Sequence, residues 1–266
     1  MDSCVRTLPD YALQPNGSGM ALEKVGIKGF KQYQRDFSGR RTLTTQSAYV
    51  DTPPGSNGIH MSRLSGILQE YGDGFITMNT ELLEKLVQSH TIDGFVPTSF
   101  WECNWESAHE MDNEQPLFIK CMLEGVMTTD NEDWFLTMKV PYAAVCPCAS
   151  AMCDAIDEGV PHMQRAEAQI TGLLDPDEDL DELLTTMVAR VVDTVDIVPI
   201  PFMKRPAELD WCQRAEQTNL FVEDASRVIG QVIDGFMEDW VVVCTHMESI
   251  HQHDVVSVCR KGKKLV

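Results

Sequence analysis

The sequence predicts an α+β chain in which β-sheets carry helices packed on one face. Two observations lead there. Short apolar stretches that alternate or run together recur along the chain, and between them lie segments with apolar residues at helical spacing. Their order is strand, two helices, strands, strand, helix, strand, helix, strands, which does not suit a βαβ array.

Residues 1–22 hold Pro, Asn, Gly and Ser with little periodicity, so a flexible N-terminal arm is expected, with order beginning near Val25. Residues 40–50, rich in Thr, Val and Tyr, read as a strand. The Pro53-Pro54-Gly55-Ser56-Asn57-Gly58 run is a loop. A helix follows from Ser62 to Glu70, with Leu64, Ile67 and Leu68 on one face. Thr80 is placed to cap a second helix over Glu81–Ser89, whose apolar face is Leu82, Leu83 and Leu86. Residues 93–141 are strand-like, with an acidic turn between PLFIKCMLEG and DWFLTMKVPY. Gln164–Thr171 is another strand, and 174–180 is an acidic turn that starts a helix over Asp181–Val192. Phe221–Met237 is a helix with Val222, Ala225, Val228, Ile229 and Ile233 inward, and 240–247 and 255–260 close the chain as strands.

The chain has 266 residues, 43% of them hydrophobic and 23% charged, which excludes wholesale disorder. A chain of this length buries a core without needing a disulfide or metal to hold it. Forty-one acids against 21 bases give a net charge of −20. That balance speaks against a general nucleic-acid binder and against binding to an anionic membrane surface. A locally positive pocket still accepts an anionic small molecule, and the surplus charge also serves solubility. No stretch approaches 18 consecutive apolar residues, and the N-terminus lacks the apolar core of a secretory signal. Nine cysteines in no regular framework suit free thiols in a reducing cytosol, so a cytoplasmic protein is expected.

Four segments carry chemistry. The first joins Cys146-Pro147-Cys148 to Val160-Pro161-His162-Met163-Gln164-Arg165. Zinc takes cysteine sulfur and histidine nitrogen, and three protein ligands plus water make a catalytic site. The alternative is a pair of buried thiols. The second is Glu248-Ser249-Ile250-His251-Gln252-His253-Asp254. In a strand, His251 and His253 point to one face and can share a metal or divide ligation and proton transfer; near a turn they are two exposed histidines. The third, Gly58-Ile59-His60-Met61-Ser62-Arg63, enters a helix. His60 and Ser62 suit a cap, while the helix start with Arg63 suits a phosphate. The fourth, Met203-Lys204-Arg205-Pro206, puts two cations in an acidic chain, with Arg165 a third.

Together, these segments resemble the second type (type IB) of GTP cyclohydrolase I, a metal-dependent family. The resemblance also takes in Val25–Gly29 and Phe221-Val222-Glu223-Asp224, keeps the order of the motifs and covers about residues 25–258. It implies the tunnelling fold, two β-sheet-plus-helix-pair units in one bimodular domain over 23–266, assembled as a homotetramer with sites at subunit interfaces. It implies a divalent metal, zinc or manganese with iron also compatible, at Cys146 and His162, with the His251/His253 pair at the metal or at proton transfer. The implied reaction adds water to C8 of a purine nucleotide, GTP by default. The imidazole ring opens, formate leaves and 7,8-dihydroneopterin triphosphate or a related product forms. Lys204, Arg205, His60, Arg63 and Arg165 are the implied substrate-binding cations.

The chain departs from that family at three places. Cys146 and His162 are 16 apart, where the family has about twelve, which places a short insertion near Asp154–Gly159 beside the site. The position of the family's metal glutamate falls on Val198. Asp196 takes that role if Pro199 and Pro201 introduce a bulge, and Asp193 is a further choice. The family's guanine-anchoring glutamate falls on Gln213, with Glu216 one turn on and Glu208 nearby. A carboxylate only accepts, whereas an amide both accepts and donates, so Gln213 admits another purine. Loss of both carboxylates also suits a non-catalytic purine- or pterin-binding protein on the same scaffold, or a related member with an unligated cysteine nucleophile.

Overall fold

The computed structural model describes residues 19–265 apart from 93 and 112–114. The expected N-terminal arm therefore lies, up to residue 18, outside the described residues. Strands β1 (Leu22–Arg35), β2 (Arg41–Thr52), β3 (Ser99–Glu110) and β4 (Pro116–Met127) come first, with helices α1 (Met61–Glu70) and α2 (Thr80–His90) between β2 and β3. Next come β5 (Glu132–Val145), α3 (Pro147–Ile156), β6 (Met163–Leu173) and α4 (Leu180–Val195). Helices α5 (Arg205–Gln217) and α6 (Val222–Ile233) then lead to β7 (Trp240–Met247) and β8 (Val255–Lys261).

The eight strands form one antiparallel sheet in sequence order. Helices α1 and α2 pack on β1–β4, and α4 and α6 pack on β5, β7 and β8. The two expected sheet-plus-helix-pair units are thus present, joined edge to edge by the pairing of β4 with β5. One face of the sheet is covered because alternate residues of each strand are apolar. Leu136, Met138 and Val140 of β5 and Ala168 and Ile170 of β6 are buried, as are Leu64, Leu68, Leu83, Val188 and Ile229 from the helices above. Burial of this kind supplies most of the favourable free energy of folding.

The structure corrects several expectations. β1 extends from Leu22 where no strand was assigned, with a bulge at Gly29 (φ +81°), which is left-handed backbone that suits glycine. α2 is capped by Asn79, whose side chain accepts from the Leu82 N–H; Thr80 instead donates to Glu132. His60 occupies the N-cap position of α1 without a side-chain capping bond. The insertion after Cys146 is a helix, α3, which ends at Asp157 in left-handed backbone. α5 is a helix that the apolar spacing does not announce. Residues 196–203 contain no strand.

Strand direction sets what is near what. In the meander, β5 and β7 end, and β6 and β8 begin, at one end of the sheet. β2 runs the other way, so the loop after it and the start of α1 lie at the opposite end.

Candidate active site

At the end where β5 and β7 finish, the helix-covered face turns from apolar to polar. The registers place Tyr142, Ala166 and His246 in one row across β5, β6 and β7. The next row holds Ala144 and Gln164, and beyond it the Cys146 N–H donates to the His162 carbonyl at 3.2 Å. Side chains two apart on a strand share a face. Cys146, His162, Gln164, His246, Glu248, His251 and His253 accordingly line one cavity of about 300 Å³, closed by Phe221–Glu223 at the start of α6.

Cys146 is half-buried at the N-cap of α3, with Pro147 fixing the first helical residue. His162 Nδ1 lies 3.4 Å from Ser249 Oγ. His251 and His253 sit on the β7–β8 connection, not in a strand. Their rings nonetheless stack, 5.2 Å apart at 14°, so both present to the cavity. Gln164 donates from Nε2 to Glu248 at 2.8 Å. In the row below, the Tyr142 hydroxyl and His246 Nε2 are 2.9 Å apart, each residue only 3% exposed. Burial lowers the pKa of His246 below its usual 6.5, with Glu248 and Glu223 acting in the opposite direction. Burial also raises the Tyr142 phenol, so it stays neutral.

A second, larger groove of about 690 Å³ lies on the other side of β6, with Gln164 lining both. Trp211, Met163, Met203, Met247, Pro199 and Ile200 give it apolar walls, and Arg165 a cation. Lys204 is the N-cap of α5 and Arg205 its first residue. Among the described residues no carboxylate pairs with Arg165, Lys204 or Arg205, although acids outnumber bases in the chain.

A profile of the family described as "Type I GTP cyclohydrolase folE2" matches residues 8–257. The chain belongs to this GTP cyclohydrolase family. Among curated relatives, the protein named "GTP cyclohydrolase FolE2" from Hydrogenovibrio crunogenus is 29% identical, covering 96% of this chain and 94% of its own length. The relative of the same name from Halalkalibacterium halodurans is 27% identical, covering 97% and 89%. Among solved structures, uricase from Arthrobacter globiformis superposes with a TM-score of 0.53 at 8% identity, covering 96% of both chains, a likeness of tunnelling fold alone. Family membership makes the chain an enzyme of the GTP cyclohydrolase class.

Within that family frame, the structure brings some expected residues together and leaves others apart. Cys146, His162, His251 and His253 meet at one cavity. Asp196 does not join them. It ends α4 in left-handed backbone, is ion-paired with Arg214, accepts from Thr218 at 3.1 Å and lines a separate cavity with Asp193. The expected proline bulge is absent, because residues 196–203 form no strand and Val198 is buried. Gln213 and Glu216 are exposed on the outer face of α5, as is Glu208. His60 and Arg63 lie at the far end of the sheet, where Arg63 donates to the Ser89 carbonyl at 2.9 Å. Among the described residues no three His, Cys, Asp or Glu side chains converge as a metal-holding group.

The structure also adds Gln164, His246, Glu223 and Glu248 to the cavity, with Tyr142 behind it, bonded to His246. The sequence signal for them was the two-residue step: 142 and 144 before 146, 164 and 166 after 162, 246 before 248. Strand periodicity gives each set a common face, but only the register shows that the three sets meet.

Proposed function

We propose that the chain is a divalent-metal-dependent cyclohydrolase that opens the imidazole ring of a purine nucleotide at C8 and releases formate, with GTP the default substrate. The product on GTP is 7,8-dihydroneopterin triphosphate. The observation that carries this reading is that Cys146, His162, His251 and His253, spread over 108 positions, line a single cavity. One sulfur and several imidazoles suit zinc, manganese or iron in kind. A bound ion of this sort supplies hydroxide near neutral pH by lowering the pKa of its water to about 7. Cys146 and His162 would hold it, one of His251 and His253 would complete the set once the side chains draw together, and the other would move protons between solvent and the opening ring. Asp196, engaged by Arg214, takes part only if that ion pair opens.

Arg165, Lys204 and Arg205, which no carboxylate pairs among the described residues, receive the phosphates, and the apolar walls with Trp211 receive the planar base. Gln213 and Glu216 face outward from α5, so they read the base edge only of a nucleotide shared with a second copy. Gln213 offers an acceptor and a donor where a glutamate only accepts, which favours a relaxed or altered purine preference. His60 and Arg63, at the opposite end of the sheet, reach a site only from a second copy, as in a homotetramer. Eight free cysteines among the described residues suit a reducing, cytoplasmic setting.

The test is protein reconstituted with zinc or manganese and offered GTP, ATP and their monophosphates, with formate and pterin fluorescence followed. Formate and fluorescence from GTP are expected. Formate only from another purine assigns the chain a repurposed substrate, with Gln213 as the cause. Metal-replete protein that binds purines and releases no formate is a binding protein.

A further inference from the structure

We propose that His246 is a further proton-transfer residue of this cavity and that Tyr142 positions it. The inference rests on the cyclohydrolase reading above. It starts from a row of three strands. Ala166 stands between Tyr142 and His246, and its single methyl lets the two larger side chains meet above it. Their rings cross at 75° with centroids 5.6 Å apart, and the phenol oxygen meets Nε2 at 2.9 Å. The other ring nitrogen, Nδ1, has no protein partner among the described residues and is not sealed from the cavity that the ring lines. A histidine this deep that served packing alone would be expected to pair both nitrogens.

The surroundings suit a group that is neutral at rest and takes a proton for a short time. Burial opposes the cation, so the resting ring has one unprotonated nitrogen; with its proton on Nε2, donated to the Tyr142 oxygen, that nitrogen is Nδ1. Glu248 and Glu223, facing the ring from the end of β7 and the start of α6, favour the imidazolium once it forms. Tyr142 and Cys244 complete the surroundings. The thiol is buried and pushed up to about 11, so neither carries charge. The phenol is both donor and acceptor and so stays bonded to Nε2 in either state of the ring. The ring's direction toward the cavity is thereby fixed.

The proton balance closes. As a water O–H bond breaks and its oxygen bonds to C8, the C8–N7 π pair moves to N7, and the released proton passes through Nδ1 of His246 to N7. As the C8–N9 bond then breaks, the C8 hydroxyl becomes a carbonyl and its proton passes through Nδ1 to N9, leaving a formamide on N7 that a second water hydrolyses to formate. Each proton that His246 takes is returned, so no oxidant, reductant or further acid is required.

The test uses metal-reconstituted full-length protein and steady-state formate release. His246→Gln is expected to lower kcat by about 10²–10⁴, with KM within threefold and metal content unchanged. His246→Ala leaves a ring-sized space, and added imidazole is expected to restore formate release at least tenfold. The restored rate should rise with the basicity of a series of substituted imidazoles, a dependence that space-filling alone would not give. If His246→Ala does not fold, Tyr142→Phe carries the test, because it removes only the positioning hydroxyl. It is expected to lower kcat about tenfold with KM unchanged. Wild-type formate release combined with a His246→Gln rate within threefold of wild type overturns this proposal and leaves the cyclohydrolase reading standing. Wild-type protein that releases no formate from any purine overturns both.

Discussion

The centre of the sheet is organised by small residues that let large ones meet across a strand. Gly125 stands between Trp101 of β3 and Trp134 of β5. The two indoles meet edge to face with centroids 6.0 Å apart, and a Cβ on Gly125 would lie 2.6 Å from the Trp134 ring. Ala166 plays the same part between Tyr142 and His246. Gly125→Val is therefore expected to destabilise the fold by about 1–3 kcal/mol, through overpacking of two buried indoles. Urea unfolding followed by tryptophan fluorescence measures this, and an unchanged midpoint would remove the row from the account of the core. A second expectation concerns pH. Burial lowers His90, His109 and His246 below 6.5. Each is neutral in the fold at a pH where the unfolded chain already binds a proton. Stability from this source is complete above about pH 6.5 and is lost as pH falls from there through the folded values. The shrinking net charge near the isoelectric point acts in the other direction. Wild type is therefore compared with His90→Gln: between pH 7.5 and 5.5 the variant's Tm should fall less, and parallel curves would exclude the buried-histidine account. What the sequence could show at this scale was limited. VVVCTHM reads as one apolar strand, and nothing in it says that the histidine meets a tyrosine 104 positions earlier.

Helices were legible in proportion to what they bury. α1, α2, α4 and α6 each place several apolar residues in the core, so their periodicity is plain in the sequence. α3 and α5 were invisible for the same reason, since each fully buries one residue, Ser150 and Ala215. They are nonetheless the elements that frame the site. α3 carries Cys146 at its start, and α5 carries Lys204, Trp211, Gln213 and Glu216. β1 escaped assignment because it is an edge strand, half exposed and interrupted by the Gly29 bulge. The caps give a test at this scale. Asp179 accepts from the N–H groups of Asp181 and Glu182 at the start of α4, and Asn79 does the same for α2. Asp179→Ala and Asn79→Ala should each cost about 1 kcal/mol in a reversible melt. α3 ends on Asp157 with φ +52°, a conformation glycine adopts without strain. Asp157→Gly should leave stability unchanged or raise it by up to about 1 kcal/mol. A loss of thermal stability would mean that the Asp157 side chain does more than end the helix.

At the scale of the whole molecule, the decisive fact is direction. The Cys146 cavity, the Trp211 groove and α5 share one end of the sheet, while His60 and Arg63 share the other. Strands of about twelve residues separate those ends by on the order of 40 Å. That exceeds what one nucleotide spans, so both groups serve one substrate only if a neighbouring copy brings its far end to the cavity. The sheet offers the means. β1 and β8 are free edges, and Val256 and Val258 of β8 are 57% and 60% exposed, as an edge awaiting cover would be. The arrangement can be tested without seeing the interface. His162→Ala disables the cavity and leaves Arg63 intact, whereas Arg63→Ala does the reverse. Each alone should release formate at no more than a few per cent of the wild-type rate. Co-expressed in equal amounts, they form sites that draw the cavity from one copy and Arg63 from another. Random pairing leaves about a quarter of such sites with both parts native, so roughly a quarter of wild-type activity should return. A site contained within one chain would return none, because no copy in the mixture holds both residues. Recovery in the mixture would place the substrate between two copies, and its absence would place Arg63 outside the site.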